Sequence, residues 1–198
     1  MNPTGKVLNV GGNSRDIELP AIYAGWSNVL LDIDPRGKPD VLCDARELSK
    51  LPAAEYDAVY CSHNLEHYYR HDVAKVLAGF RHVMKGNAFA HIRVPDIGEL
   101  MQIVATDKLD IDDFLYQSAA GPITVRDVVY GYGIEIERSG NDFFAHKTGF
   151  TKKSLTETLR RAGFTHIYVG ASAPLEVAAF AFKSAPTASV ANLLNLPR

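Results

Sequence analysis

Short apolar runs, closed by glycine, proline or an acid, recur along the whole chain. They cover about residues 6–10, 27–32, 40–43, 56–61, 88–94, 164–170 and 175–182. Their apolar residues mostly follow one another without strict alternation, the pattern of strands buried on both faces. Between them the period changes. Val73, Val76, Leu77, Phe80, Val83 and Met84 recur at helical spacing over 70–84, and Gly86 stops that helix. A second helix is expected from Ile97 to about Ala105. A third is capped by Thr151, runs through Leu155 and Leu159 to Ala162, and stops at Gly163. One more is expected from Ser14 across Ile17, Leu19 and Ile22, interrupted by Pro20, and a short helical turn reaches Leu51-Pro52.

The order β-α-β-β-α-β-α predicts an α/β protein with an open, mostly parallel sheet and helices on both faces. The last two runs are joined only by Ala171-Ser172-Ala173-Pro174, so they form a hairpin and the seven-stranded sheet ends antiparallel. Residues 106–150 lack a sheet-forming pattern. They begin acidic and then carry Tyr116, Tyr130, Tyr132, Phe143, Phe144 and His146. Because they follow the fifth strand, at the end where α/β sheets bind ligands, they are expected to be a lid or substrate-binding insert. The remainder of 1–183 is expected to be one domain, and 184–198 a tail.

At 198 residues the chain suits one domain with a sizeable core. Hydrophobic residues at 46% and charged residues at 22% are those of a soluble globular protein. A formal net charge of −2 without a Lys/Arg stripe argues against a nucleic-acid partner. No apolar run reaches membrane-spanning length. The start, Met-Asn-Pro-Thr-Gly-Lys, holds no signal-peptide core, and Cys43 and Cys61 sit within apolar runs. A cytoplasmic protein with reduced cysteines is therefore expected.

The first strand ends at Gly11-Gly12, and the second ends in Asp32, 21 residues after Gly11. A glycine turn admits a ligand close to the backbone, and an acid at the next strand tip suits the two hydroxyls of a ribose. Gly-x-Gly-x-x-Gly is absent, so the glycines alone could mark a plain turn, and Asp32 a solvated loop acid. Asp44 stands at the third strand tip, where it also suits a helix cap. His63, His67 and His71 are spaced by four, but His63 ends a strand and no obvious ligand set is completed. No metal is expected. His91 and His166 lie in strands and read as structural groups, and His82 as a helix-surface residue.

These stretches resemble the class I S-adenosylmethionine-dependent methyltransferases. Val-Leu-Asn-Val-Gly-Gly-Asn (7–13) is similar to that family's first motif, Leu-Leu-Asp-Ile-Asp (30–34) to its acidic second strand tip, and Cys-Asp-Ala (43–45) to its adenine-side acid. Tyr-Asp-Ala-Val-Tyr-Cys-Ser-His-Asn-Leu-Glu-His (56–67) resembles the fourth strand and following turn of the small bacterial subgroup called type 11. Phe-Phe-Ala-His-Lys-Thr-Gly-Phe-Thr (143–151) is similar to the segment before the penultimate strand there. The resemblance spans about residues 5–183. Departures are Asn9 where the family carries an acid, Asn13 and Arg15 at two glycine positions, and Gly86-Asn87 in place of Pro-Gly-Gly.

The resemblance implies a Rossmann-like fold and S-adenosyl-L-methionine as cofactor. It implies that Asn9, Gly11, Gly12 and Asn13 hold the methionine part, with the Ser62-His63 backbone on its ammonium. Asp32 would take the ribose, Ile33 the adenine face, and Asp44 with Ala45 the adenine edge. The implied reaction is methyl transfer to a small-molecule oxygen or nitrogen acceptor by a monomer or homodimer. A hydroxyl acceptor would need a base, for which His63 and His146 are the candidates, and Tyr130 is a candidate substrate contact. Two rival readings remain. One is a catalytically inactive methyltransferase fold that only binds cofactor or nucleoside. The other is an NAD-dependent dehydrogenase, which shares the strand-two acid but not the 56–67 match or the terminal hairpin.

Overall fold

Seven apolar runs pair into one sheet in a computed structural model that describes residues 4–118 and 121–197. In chain order the strands are β1 (Lys6–Val10), β2 (Ser27–Asp32), β3 (Val41–Leu42), β4 (Tyr56–Ser62) and β5 (Met84–Pro95). A separate hairpin, β6 (Phe114–Ser118) and β7 (Gly121–Thr124), precedes β8 (His166–Ala173) and β9 (Glu176–Phe182). The helices are α1 (Arg70–Val83), α2 (Ile97–Asp107), α3 (Val125–Tyr130), α4 (Gly133–Ser139), α5 (Lys152–Arg161) and α6 (Ala188–Leu193). The sheet order is β3-β2-β1-β4-β5-β9-β8, with parallel pairing from β3 to β5 and antiparallel pairing of β9 to both its neighbours. This is the mostly parallel, Rossmann-like sheet with a closing hairpin.

Burial on both faces follows from the alternation of side chains along each strand. Leu8, Val59, Cys61 and Ile92 go to one face, beneath Val73, Leu77 and Phe80 of α1 and Leu155 and Leu159 of α5. Val7, Ala58, Tyr60 and Phe89 go to the other, against Tyr23, Phe182 and Leu194. Cys43 and Cys61 are both free thiols.

Three expectations need correction. The helix expected from Ser14 is absent, and only a 3-10 turn, Ala21–Tyr23, stands between β1 and β2. Pro20 has ψ 145°, an extended conformation that cannot continue a helix, and it brings no N–H to one. The insert has its own structure: β6 and β7 pair, and α3 and α4 follow. Leu100 of α2 packs there against Ile123, Val125 and Val128. The insert's Ala119 and Ala120, like residues 1–3 and Arg198, lie outside the described residues. The tail is docked by Leu194 into the second core face and contains α6. Both ends of the α2-to-insert segment meet at one point, where the Ile97 N–H donates to the Phe150 carbonyl at 2.8 Å. No described helix is long and apolar enough to cross a membrane.

His82, expected on the helix surface, is partly buried and bonds the Leu51 carbonyl through Nε2 at 2.9 Å, so it ties α1 to the preceding turn. His91 is buried between Tyr60 and Phe180, with Nδ1 3.3 Å from the Tyr23 hydroxyl. Burial, and then the nearby Arg93 charge, push its pKa down to about 3. The unfolded chain, with a histidine near about 6.5, takes up this proton first on acidification. Stability from neutral His91 is therefore complete above about pH 6.5 and lost as pH falls toward the folded value. In an NMR titration the His91 ring should show no midpoint near about pH 6.5; a midpoint there would contradict its buried, neutral state.

Candidate functional site

Val10 of β1 pairs with Leu31 of β2 on one side and with Cys61 of β4 on the other. The next residue of each strand or turn, Gly11, Asp32 and Ser62, therefore emerges at one edge of the sheet. Gly11 adopts φ +70° and its N–H donates to the Leu31 carbonyl at 2.8 Å. A Cβ there would strike the Asn64 side chain, and one at Gly12 would strike the side chains of Asn9 and Leu30. Asp32 is held by two backbone amides: Asn13 donates to Oδ2 at 3.0 Å and Asp34 to Oδ1 at 2.9 Å. Each oxygen keeps a lone pair for a further donor. Ile33 follows with 40% of its surface exposed.

These residues, with Asn9, Asn13, Asp44, Ser62 and His63, line a cavity of about 650 Å³. Asp44 takes both of its expected parts. It caps the 3-10 turn Ala45–Lys50 by accepting from the Arg46 N–H at 2.9 Å, and it faces the cavity with the Arg46 guanidinium against it at 2.6 Å. Ala45 is buried and is not among the lining residues. The insert also reaches this cavity, through Asp142, Phe143, Phe144 and Lys147. It therefore borders the same space as the glycine turn.

His63 sits at the end of β4 with φ +48°, and its N–H donates to the Arg93 carbonyl at 2.9 Å. Its Nε2 is 2.7 Å from Glu176 Oε2, and its Nδ1 is 3.6 Å from Glu66 Oε1. Burial alone would lower its pKa, but the two carboxylates outweigh that and raise it to about 9. Glu176 also receives two bonds from Arg93, at 2.9 and 2.7 Å, and one from the Ser172 hydroxyl at 2.5 Å. Burial raises its pKa, and these donors together outweigh burial to bring it down to about 2.

Beyond His63 lies a second cavity, of about 250 Å³, lined by His146, Tyr116, Asp127 and Glu176 among others. His63 lines both cavities. His146 is fixed through Nδ1, 2.9 Å from the Val128 carbonyl. Tyr130, the candidate substrate contact, is 56% exposed and lines neither cavity.

Sequence reasoning missed Glu66, Arg93 and Glu176. Glu66 is 1% exposed, and neither of its carboxylate oxygens has a hydrogen-bond partner among the described residues. His67 and His146 stand beside it, one ligand atom from each of the three lying within 4.8 Å of the others. His67 places its two ring nitrogens 3.1 Å from the carbonyls of Ala145 and His63. The Lys147 and Thr148 N–H groups donate to the Glu66 carbonyl at 2.8 and 3.1 Å, strapping the insert onto this turn. For Arg93 and Glu176 a signal existed, since a charge inside an apolar strand run has to find a partner. His146 joining Glu66 had none, being 80 residues away along the chain.

The strand order β3-β2-β1-β4-β5-β9-β8 is that of the Rossmann-like methyltransferase fold. Solved structures share it. One is the 1,6-didemethyltoxoflavin-N1-methyltransferase of Burkholderia thailandensis, with 1,6-didemethyltoxoflavin and S-adenosylhomocysteine bound. It is 19% identical at a TM-score of 0.54, over 91% of this chain and 72% of that one. Another is a SAM-dependent methyltransferase from Archaeoglobus fulgidus, 17% identical at a TM-score of 0.57, over 91% and 86%. A third, a possible histamine N-methyltransferase from Thermotoga maritima, is 15% identical at a TM-score of 0.57, over 92% and 84%. No protein-family model and no curated protein sequence matches the chain.

The His146 geometry sets a tautomer. Its Nδ1 faces a carbonyl oxygen and so carries the proton, leaving the Nε2 lone pair free. Burial lowers its pKa, in spite of the Glu66 charge that raises it. At neutral pH the ring should be the neutral Nδ1–H form. Nitrogen-15 chemical shifts of the two ring nitrogens check this, and an Nε2–H tautomer or an imidazolium would refute it.

Proposed function

We propose that this protein is an S-adenosylmethionine-dependent methyltransferase of the small bacterial type 11-like kind, acting on a small oxygen or nitrogen acceptor. The observation that carries the reading is the edge formed by Gly11, Asp32 and Ile33. It combines a glycine turn without room for a Cβ, a carboxylate oriented by two amides, and an exposed apolar side chain next to it. Those are the requirements of an adenosyl group: close backbone approach, an acceptor for two hydroxyls, and an apolar surface for a purine ring.

The larger cavity would hold the cofactor. Asp32 would bind the ribose, Ile33 would cover the adenine, and Asp44, already paired with Arg46, would border the adenine edge. Asn9, Gly11, Gly12 and Asn13 would form the turn around the methionine part, next to the Ser62-His63 backbone. Asn9 brings an amide where the resembled family has an acid, so it offers a donor and an acceptor without charge. The cofactor, when bound, supplies a methyl group already activated as a sulfonium. The acceptor would lie in the smaller cavity, on the far side of His63, with the insert as lid. His63 would not be the base at neutral pH, because the carboxylates of Glu176 and Glu66 favour its protonated form. It would form the wall between the two cavities, its ring nitrogens turned to Glu176 and Glu66. His146 presents an unprotonated nitrogen on the acceptor side.

Two measurements test this. Asp32→Ala removes a charged acceptor worth about 1.5–3 kcal/mol. Affinity for S-adenosylhomocysteine in titration calorimetry should drop roughly ten- to a hundredfold, and unchanged affinity would sink the assignment. On the acceptor side, methyl transfer into a metabolite pool can be followed with a labelled methyl group. His146→Ala should abolish most transfer while cofactor affinity stays within about threefold. Tyr130→Ala, outside both cavities, should alter neither. Loss of cofactor binding in a folded His146→Ala protein would place that residue in the cofactor site.

A further inference from the structure

Glu66 carries its charge among imidazoles: burial would raise its pKa, but His63, with His67 and His146, outweighs burial and lowers it. A carboxylate taken fully out of water costs several kcal/mol unless it is paired or coordinated. Both Glu66 oxygens are buried, and neither receives a hydrogen bond from any described residue. The nearest nitrogens, His63 Nδ1 at 3.6 Å and His146 Nε2 at 3.9 Å, are too distant for good hydrogen bonds. His146 moreover has its proton on the other nitrogen, facing the Val128 carbonyl, so two lone-pair atoms confront each other across the gap. His67 stands beside them with both ring nitrogens 3.1 Å from carbonyl oxygens, so a neutral ring leaves one of these contacts unmade.

We propose that Glu66, His67 and His146 bind a divalent transition-metal ion of the zinc class. Two imidazoles and one carboxylate are donors that suit such an ion, and three protein ligands leave a position open. Ligands about 2.1 Å from a shared tetrahedral ion lie roughly 3.4 Å apart. The three donor atoms lie within 4.8 Å of one another, so binding would draw them together to that spacing. His146 already shows the outer arrangement of a metal ligand, one nitrogen donating to a backbone carbonyl and the other free. His67 acquires it by keeping one of its two carbonyls.

The ion lies between the two cavities, since His67 lines the larger and His146 the smaller. Its role rests on the methyltransferase reading. The open position would take a hydroxyl acceptor and lower its pKa, so that the proton leaves to solvent and the bound oxyanion takes the methyl group as the cofactor's sulfur–methyl bond breaks. Nε2 of His146 is then a ligand, and the expectation of a metal-independent reaction is reversed.

Binding is measured on the full-length protein without cofactor, so its failure is separate from any failure of the methyltransferase reading. After chelator treatment, the protein is titrated with zinc by calorimetry and with cobalt by visible absorption. Wild type should bind one equivalent and give the intense spectrum of low-coordinate cobalt. Glu66→Gln, which preserves size and removes the charge, and His146→Ala should each weaken binding at least tenfold. His71→Ala, which removes an exposed ring on α1, should bind as wild type and shows that the signal does not come from that surface histidine. Zinc should also raise the melting temperature of wild type and leave that of folded His146→Ala unchanged. Stripped wild type that binds no tighter than a surface histidine would overturn the proposal. So would Glu66→Gln and His146→Ala proteins that bind as wild type does, and in either case the cluster is an ionic histidine–glutamate contact.

Discussion

The flanking of Val10 by Leu31 and Cys61 is the constraint on which the site depends. Parallel strands in register end together, and the crossovers that join them start from that shared edge. Gly11, Asp32 and Ser62 come together because their strands stop at one level. The hydrophobic burial of Leu8, Val59 and Ile92 under α1 fixes this register, since a one-residue slip would turn the whole inward set to the opposite face. The chemistry at the edge is thus positioned by core residues that touch no ligand.

A second element shapes the edge. His63 leaves β4 in the left-handed region, where a residue with a Cβ is strained by about 1–3 kcal/mol. The turn is retained by the His63 bond to the Arg93 backbone and by the contact of its ring with Glu176. Arg93 and Glu176 in turn satisfy one another, with Tyr60 and Ser172 completing the set. Charges placed on central strands are tolerated here because each has a partner within hydrogen-bond reach. The same turn carries Glu66 inward, and the insert clamps it there by two N–H groups.

Much of this was legible in the order of residues. The strands could be read because fully buried runs differ from everything around them, and α1 because Val73, Val76, Leu77 and Phe80 keep a strict period. Gly11, Asp32 and Asp44 could be placed because they terminate such runs. The expected helix at Ser14 failed because Pro20 outweighed an apolar spacing too sparse to pack, and Ile17 indeed remains exposed. The hairpin of β6 and β7 escaped notice because its strands are short and the apolar run Phe114-Leu115-Tyr116 is not a buried one, Phe114 and Tyr116 staying exposed. His146 beside Glu66 is a product of chain folding alone, and local periodicity carries no information on it.

The meeting of Ile97 and Phe150 at one point has a consequence for how this protein can change over time. The segment between them leaves the sheet and returns to it through a single junction, so its length is nearly independent of the sheet's geometry. Doubling such an excursion costs only about 0.6 kcal/mol of closure entropy. Insertions and deletions there are tolerated so long as the run at 145–148 still reaches Glu66. Divergence can therefore accumulate on one side of His63 while the edge formed by Gly11 and Asp32 stays under the stricter discipline of the core, and new specificities can arise without a new fold.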